Sequence, residues 1–129
     1  MPVARNHMSS NLLSVEPGEA IAEVAGWMVE RNIGAVLVLD GGRLVGIMTE
    51  RDIMRAVARG LHADALVAEY MTEDPETISP DDSTQHAAVL MIHGGFRHLP
   101  VVEGDRVVGI LSIRDLMQLA LEDSAPRGV

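Results

Sequence analysis

The chain has 129 residues and a mass of 13.9 kDa, 47% apolar and 22% charged, enough to fill one core or two half-size units; a string of domains and wholesale disorder are both excluded. Its 19 acidic against 10 basic residues leave a net charge of -9, and with one Trp, one Tyr and one Phe it has no stacking platform, so neither nucleic acid nor anionic lipid is an expected partner. The absence of Cys removes thiol chemistry and disulfides and fits a reducing compartment, and no apolar run approaches the roughly 20 residues of a membrane span; the expectation is a soluble cytoplasmic protein without a secretory signal.

The sequence is a duplication. Sliding it against itself by 63 residues puts Met8 on Met71 and needs no gap up to Ala58 and Leu121. Pro17 then falls on Pro80, Met28 on Met91, and Arg43 on Arg106. The block Val45-Gly46-Ile47 falls on Val108-Gly109-Ile110, and Arg51, Asp52 and Met54 fall on Arg114, Asp115 and Met117. Gly, Pro, Arg and Asp coincide in order, which two unrelated apolar segments would not do. The repeats are placed at 3–60 and 66–122, with 60–64 as the expected linker and 123–129 as a loose tail. Units this small are marginal alone, so a shared core is expected.

In chain order, a short apolar stretch at 12–15, echoed at 77–78, predicts the first strand of each repeat. After Pro17 or Pro80, apolar residues recur at helical spacing, as Ile21, Val24, Ala25 and Met28, then as Ala87, Ala88 and Met91. Asn32 and Gly94-Gly95 are expected terminators. Apolar runs at 35–39 and 44–48 flank Asp40-Gly41-Gly42-Arg43, which predicts a tight hairpin, repeated at 99–102 and 107–111. A last helix is expected over about 50–59 and 113–122. Met28, Met54, Met91 and Met117 fall on apolar stripes and are read as core. The order strand, helix, strand, strand, helix, twice over, makes this an α/β protein with a small mixed sheet per repeat, the first helix being a crossover between parallel strands.

Catalytic signatures are missing: no nucleophile elbow, no His-Glu-x-x-His and no phosphate loop occurs. Of the five His, only His86 and His93 share a helix, and they are read as a solvated pair with no metal expected. The segments that join a strand end to a helix start are different. Gly46-Ile47-Met48-Thr49-Glu50-Arg51-Asp52 is echoed by Gly109-Ile110-Leu111-Ser112-Ile113-Arg114-Asp115. A Thr or Ser with Asp three residues on is a capping box, which satisfies orphan N–H groups. The same geometry can receive a phosphate on free N–H groups while the Asp accepts from ribose hydroxyls. Both readings stay open on the residues alone.

These residues resemble a tandem pair of CBS domains, the cystathionine-β-synthase-type module, over about 3–122. The pattern is carried by Met8-Ser9 and Met71-Thr72, by Leu99-Pro100-Val101-Val102, and by the two Gly-to-Asp segments. The first repeat departs from it, with Val36-Leu37-Val38 where the second has Leu99-Pro100-Val101. The resemblance implies two βαββα repeats related by a pseudo-twofold axis and packed as one module, with two clefts that take adenosine-containing ligands. It implies that Ile47, Thr49, Arg51 and Asp52 face Thr72, Phe96, Arg97 and His98, and that Ile110, Ser112, Arg114 and Asp115 face Ser10, Ile33 and Gly34. AMP, ADP or ATP is the expected ligand, S-adenosylmethionine or NAD the other candidates, and no resident cofactor is expected. Arg97, matched to Gly34, is expected to draw the more highly phosphorylated ligand to the Asp52 cleft. The function implied is a non-catalytic regulatory sensor, of energy state among other signals, acting as a homodimer on an unidentified partner protein. Alternatives are an interaction module with vestigial clefts and an unrecognised nucleotide enzyme.

Overall fold

The computed structural model describes residues 1–124, and the rest of the expected tail lies outside the described residues. The chain forms two compact units, one of Leu12–Pro75 and one that joins Met1–Asn11 to Glu76–Val129. Compact units and sequence repeats are therefore different divisions of the same chain. The stretch 60–64, expected as a linker, lies inside the Leu12–Pro75 unit: the Leu61 N–H donates to Ala56 O, and Leu61 packs on the core. The chain passes from unit to unit at Asn11/Leu12 and Pro75/Glu76 instead.

The Leu12–Pro75 unit contains β1 (Ser14–Val15), α1 (Ile21–Arg31), β2 (Ala35–Asp40), β3 (Arg43–Thr49), α2 (Glu50–Ala58), α3 (Val67–Tyr70) and β4 (Thr72–Glu73). Its sheet has the order β1-β2-β3-β4, with β1 parallel to β2 and the other pairs antiparallel. Helix α1 buries Ile21, Val24 and Met28 against Val36, Val38 and Met48 of the sheet, as the 3.6-residue spacing predicts. It stops at Asn32, whose left-handed φ of 53° lets its N–H turn back to Met28 and Val29. Gly41 and Gly42 take the positive φ that a tight hairpin demands.

The second unit repeats the plan with α4 (Thr84–Gly94), β5 (His98–Glu103), β6 (Arg106–Ser112) and α5 (Ile113–Ser124). Helix α5 runs to Ser124, two residues past its expected end. The β5–β6 hairpin has the register of β2–β3, down to a bulge at Val101/Val102 that matches the one at Val38/Leu39. Isolated bridges stand where the other unit has its edge strands: Ile78 with Val101 in parallel, Ser9 with Ile110 antiparallel. The N-terminal segment thus completes this unit. It opens with a short 3-10 helix, Ala4–Asn6, and Ala4 is buried with Ile78, Met91, Leu99 and Leu111.

The methionines divide. Met28 and Met91 are core, but Met54 and Met117 are 67% and 60% exposed, against the expectation for the helical stripes. In α2 the inward positions are Asp52 and Ala56, four apart on one face, so Met54 points to solvent. No helix among the described residues is long and apolar enough to cross a membrane.

Candidate functional site

Thr49 ends β3 in extended backbone and caps α2. Its Oγ1 accepts from the Asp52 N–H at 3.2 Å, and Asp52 Oδ2 accepts from the Thr49 N–H at 2.9 Å and from Thr49 Oγ1 at 3.0 Å. The cap is thus fully formed, and the first helical turn has two fewer orphan donors. The other carboxylate oxygen, Oδ1, accepts from Thr72 Oγ1 at 3.0 Å and lies 3.8 Å from an Arg55 guanidinium nitrogen. With those partners Asp52 is only 4% exposed. Thr72 reaches it because β4 pairs with β3, setting Thr72 opposite Ile47. The pairing is close: a Cβ on Gly46 would lie 2.7 Å from Met71 Sδ and 2.9 Å from the Thr72 carbonyl oxygen. Gly46 permits an approach of the chain's own backbone there.

The second unit repeats this at Ser112 and Asp115. Asp115 Oδ2 accepts from the Ser112 N–H at 2.8 Å and from Ser112 Oγ at 2.9 Å, and the Asp115 N–H donates to Ser112 Oγ at 3.1 Å. Asp115 is half-buried. A Cβ on Gly109 would fall 2.8 Å from Met8 Cγ and 3.0 Å from the Ser9 carbonyl oxygen, the counterpart of Gly46 and Met71.

The other predicted residues divide by unit. Ile33, Gly34, Ile47, Thr49, Arg51, Asp52 and Thr72 belong to Leu12–Pro75; the Gly34 carbonyl accepts from the Glu50 N–H at 3.0 Å, tying the start of β2 to that of α2. Ser10, Phe96, Arg97, His98, Ile110, Ser112, Arg114 and Asp115 belong to the other unit. There the Arg97 carbonyl accepts from the Ile113 N–H at 2.8 Å, and His98 pairs with Ser112. Ser10 is exposed beside Ser9, Phe96 packs on its unit's core, and the Arg97 side chain makes no ion pair among the described residues. Sequence reasoning missed Arg55. Its spacing of three from Asp52 on a helix was the available signal.

The family model for the CBS domain matches residues 4–59 and 67–122. The chain belongs to the CBS domain family. Among curated relatives, an uncharacterized 17.7 kDa protein of Acidianus ambivalens is 42% identical over 110 residues, 84% of this chain and 66% of its own length. The CBS domain-containing protein YhcV of Bacillus subtilis is 33% identical over 117 residues, 90% of this chain and 84% of its own. A solved CBS domain pair, that of protein MJ0100 in complex with 5′-methylthioadenosine and S-adenosyl-L-methionine, is 28% identical with a TM-score of 0.88, over 95% of this chain and 98% of that one. The CBS family's βαββα repeat is thus present twice, and the fold is mixed α/β with two sheets.

Proposed function

We propose that this tandem CBS protein is a non-catalytic regulatory module that senses an adenosine-containing ligand, with Thr49/Asp52 and Ser112/Asp115 as the ribose-facing pairs. The observation that carries the reading is the Ser112–Asp115 pair: a hydroxyl and a carboxylate fixed at a helix start, with one carboxylate oxygen left unbonded among the described residues. A ribose hydroxyl is a fitting donor for that oxygen, and the helix N-terminus favours negative charge beside it. The adenosine compounds in the MJ0100 complex support the same ligand class. AMP, ADP and ATP are the first ligands to try, with S-adenosylmethionine, 5′-methylthioadenosine and NAD beside them; Arg97 is the candidate phosphate reader. A ligand at a hundred times its Kd stabilises the folded chain by about 2.7 kcal/mol, so a melting screen is expected to show a shift of several degrees for at least one of these compounds. If none of them moves the melting temperature, the sensing role is lost.

A second copy of the chain is the partner we propose. Val29 and Ile92, matched by the repeat, are 82% and 74% exposed, and Met54 and Met117 are the next matched pair. Each unit thus carries exposed apolar side chains at the same repeat positions, which a second copy would cover. Beside Val29, a hollow lined by Ala25, Met28, Ile33 and Ile53 offers a seat for such side chains. Light scattering is expected to return about twice 13.9 kDa at micromolar concentration, and M54E/M117E to return the monomer. A monomeric mass for the unmodified chain at high micromolar concentration would end the proposal. This surface also favours the alternative in which the protein serves association alone, which the melting screen tests.

A further inference from the structure

Asp52 and Asp115 occupy the same position of the two repeats, but their carboxylates are not equally committed. Asp52 has both oxygens engaged, Oδ2 by Thr49 and Oδ1 by Thr72, with Arg55 beside it. Asp115 has Oδ2 engaged by Ser112 and, among the described residues, nothing on Oδ1. The two units differ in the partners they bring to these carboxylates. Ser9 stands where the other repeat has Thr72, and it pairs with Ile110 as Thr72 pairs with Ile47, but no bond joins its hydroxyl to Asp115 among the described residues. Gln118 stands where the other repeat has Arg55, so no cation is supplied to Asp115 from that helical position.

We infer that Thr72 is an internal competitor for the ligand's ribose at Asp52, so that the Asp115 site fills first. This rests on the adenosine reading above. A carboxylate oxygen has two lone pairs, and a ribose diol brings two hydroxyl donors. At Asp115 no described residue takes either lone pair of Oδ1. At Asp52 one is taken by a hydroxyl that strand pairing holds in place, which gives it a high effective concentration. Ligand binding there exchanges one charge-assisted bond for another, whereas at Asp115 it adds one. A hydrogen bond to a charged group corresponds to roughly a tenfold to hundredfold difference in Kd between the sites. Arg55, exposed and 3.8 Å away, adds a smaller, salt-screened term.

The test is calorimetric titration of the full chain with 5′-methylthioadenosine, which lacks a 5′ phosphate and so reports the nucleoside contacts alone. Two sites are expected, the tighter one lost in Asp115→Asn and the weaker one in Asp52→Asn. Thr72→Val, nearly the same shape without the hydroxyl, is expected to tighten the weaker site roughly tenfold and leave the other unchanged. Thr72→Ser keeps the donor without the methyl that helps to fix it and is expected to fall between Thr72→Val and the unmodified chain. Melting curves of each variant without ligand establish that it is folded. If Thr72→Val leaves the weaker site unchanged or weakens it, or if Asp52→Asn removes the tighter site, the competitor role is overturned while the adenosine reading stands. If none of the adenosine compounds of the melting screen binds the unmodified chain, both are overturned.

Discussion

A chain that begins at Leu12 is expected to lose the core of its Glu76–Val129 part, although every residue of the second sequence repeat is still there. The N-terminal segment is built into that unit by main-chain bonds. Thr84 N–H donates to Pro2 O, Ala4 N–H to Asp82 O and Arg5 N–H to Pro80 O, while Ser9 and Ile110 exchange a pair at 2.9 Å. Ala4 is fully buried and Met8 packs against the core. At about 1 kcal/mol net for each hydrogen bond, with the apolar burial added, the deletion costs about 5 kcal/mol or more, comparable with the whole stability of a small unit. The ion pairs of Arg5 with Asp81 and Glu103 are exposed and add little. Hydrogen exchange is the suitable measurement, and protection is expected to fall over 76–124 by far more than over 12–75. Gly109→Ala is the milder version: its methyl would press on Met8 Cγ and the Ser9 carbonyl, an overpacking cost of about 1 to 3 kcal/mol. A truncated chain with protection over 76–124 equal to that of the full chain would show that the segment is only laid on the surface.

That result bears on what can be read from a sequence. Matching Met8 to Met71 tells which segments are alike, and from the local pattern the hairpins and both left-handed helix ends at Asn32 and Gly95 follow correctly, though not the bulge that the two hairpins share. It does not tell which segments pack together, because the partner of a two-residue strand is chosen by distant hydrogen bonds. So Thr72–Glu73 joins the first repeat's sheet, and Ser9 bridges to the second's, with no local signal for either. Segments such as Ala4–Asn6 and Val67–Tyr70 are too short to show a period and went unseen. The stripes of α2 misled for another reason. A helix can face the core with a small or polar residue when that residue has a special partner, and Asp52 and Ala56 do so while Met54 faces outward. The Thr/Ser-to-Asp spacing was legible as a cap and as a ribose site, but the partner that most distinguishes Asp52 from Asp115, Thr72, lies twenty residues away, with Arg55 adding to it.

Asp52→Ala is expected to lower the melting temperature of the ligand-free chain by about 10 °C, and Asp115→Ala by less than half as much. A Thr or Ser cap remains in each case, but Asp52 is buried and accepts from the Thr49 N–H, Thr49 Oγ1 and Thr72 Oγ1. Alanine leaves the half-buried Thr49 N–H without its acceptor and unties β4 from α2. Lost bonds to a charged, buried acceptor and a lost cap together amount to about 2 to 4 kcal/mol, or several degrees for each kcal/mol in a chain of this size. Asp115 is half-buried and among the described residues bonds only to Ser112, so its loss is that of a cap, about 0.5 to 2 kcal/mol. Binding reverses the order. Because Asp115 has the open oxygen, Asp115→Ala is expected to remove most of the stabilisation by 5′-methylthioadenosine, whereas Asp52→Ala leaves that stabilisation in place on a lower baseline. Asp52→Asn separates the causes, since its amide oxygen can still accept from Thr49 while the charge is gone, and it is expected to melt between Asp52→Ala and the unmodified chain. Equal drops for the two alanine variants would mean that the Thr72–Asp52 bond contributes nothing to stability, and that the two carboxylates are equivalent caps.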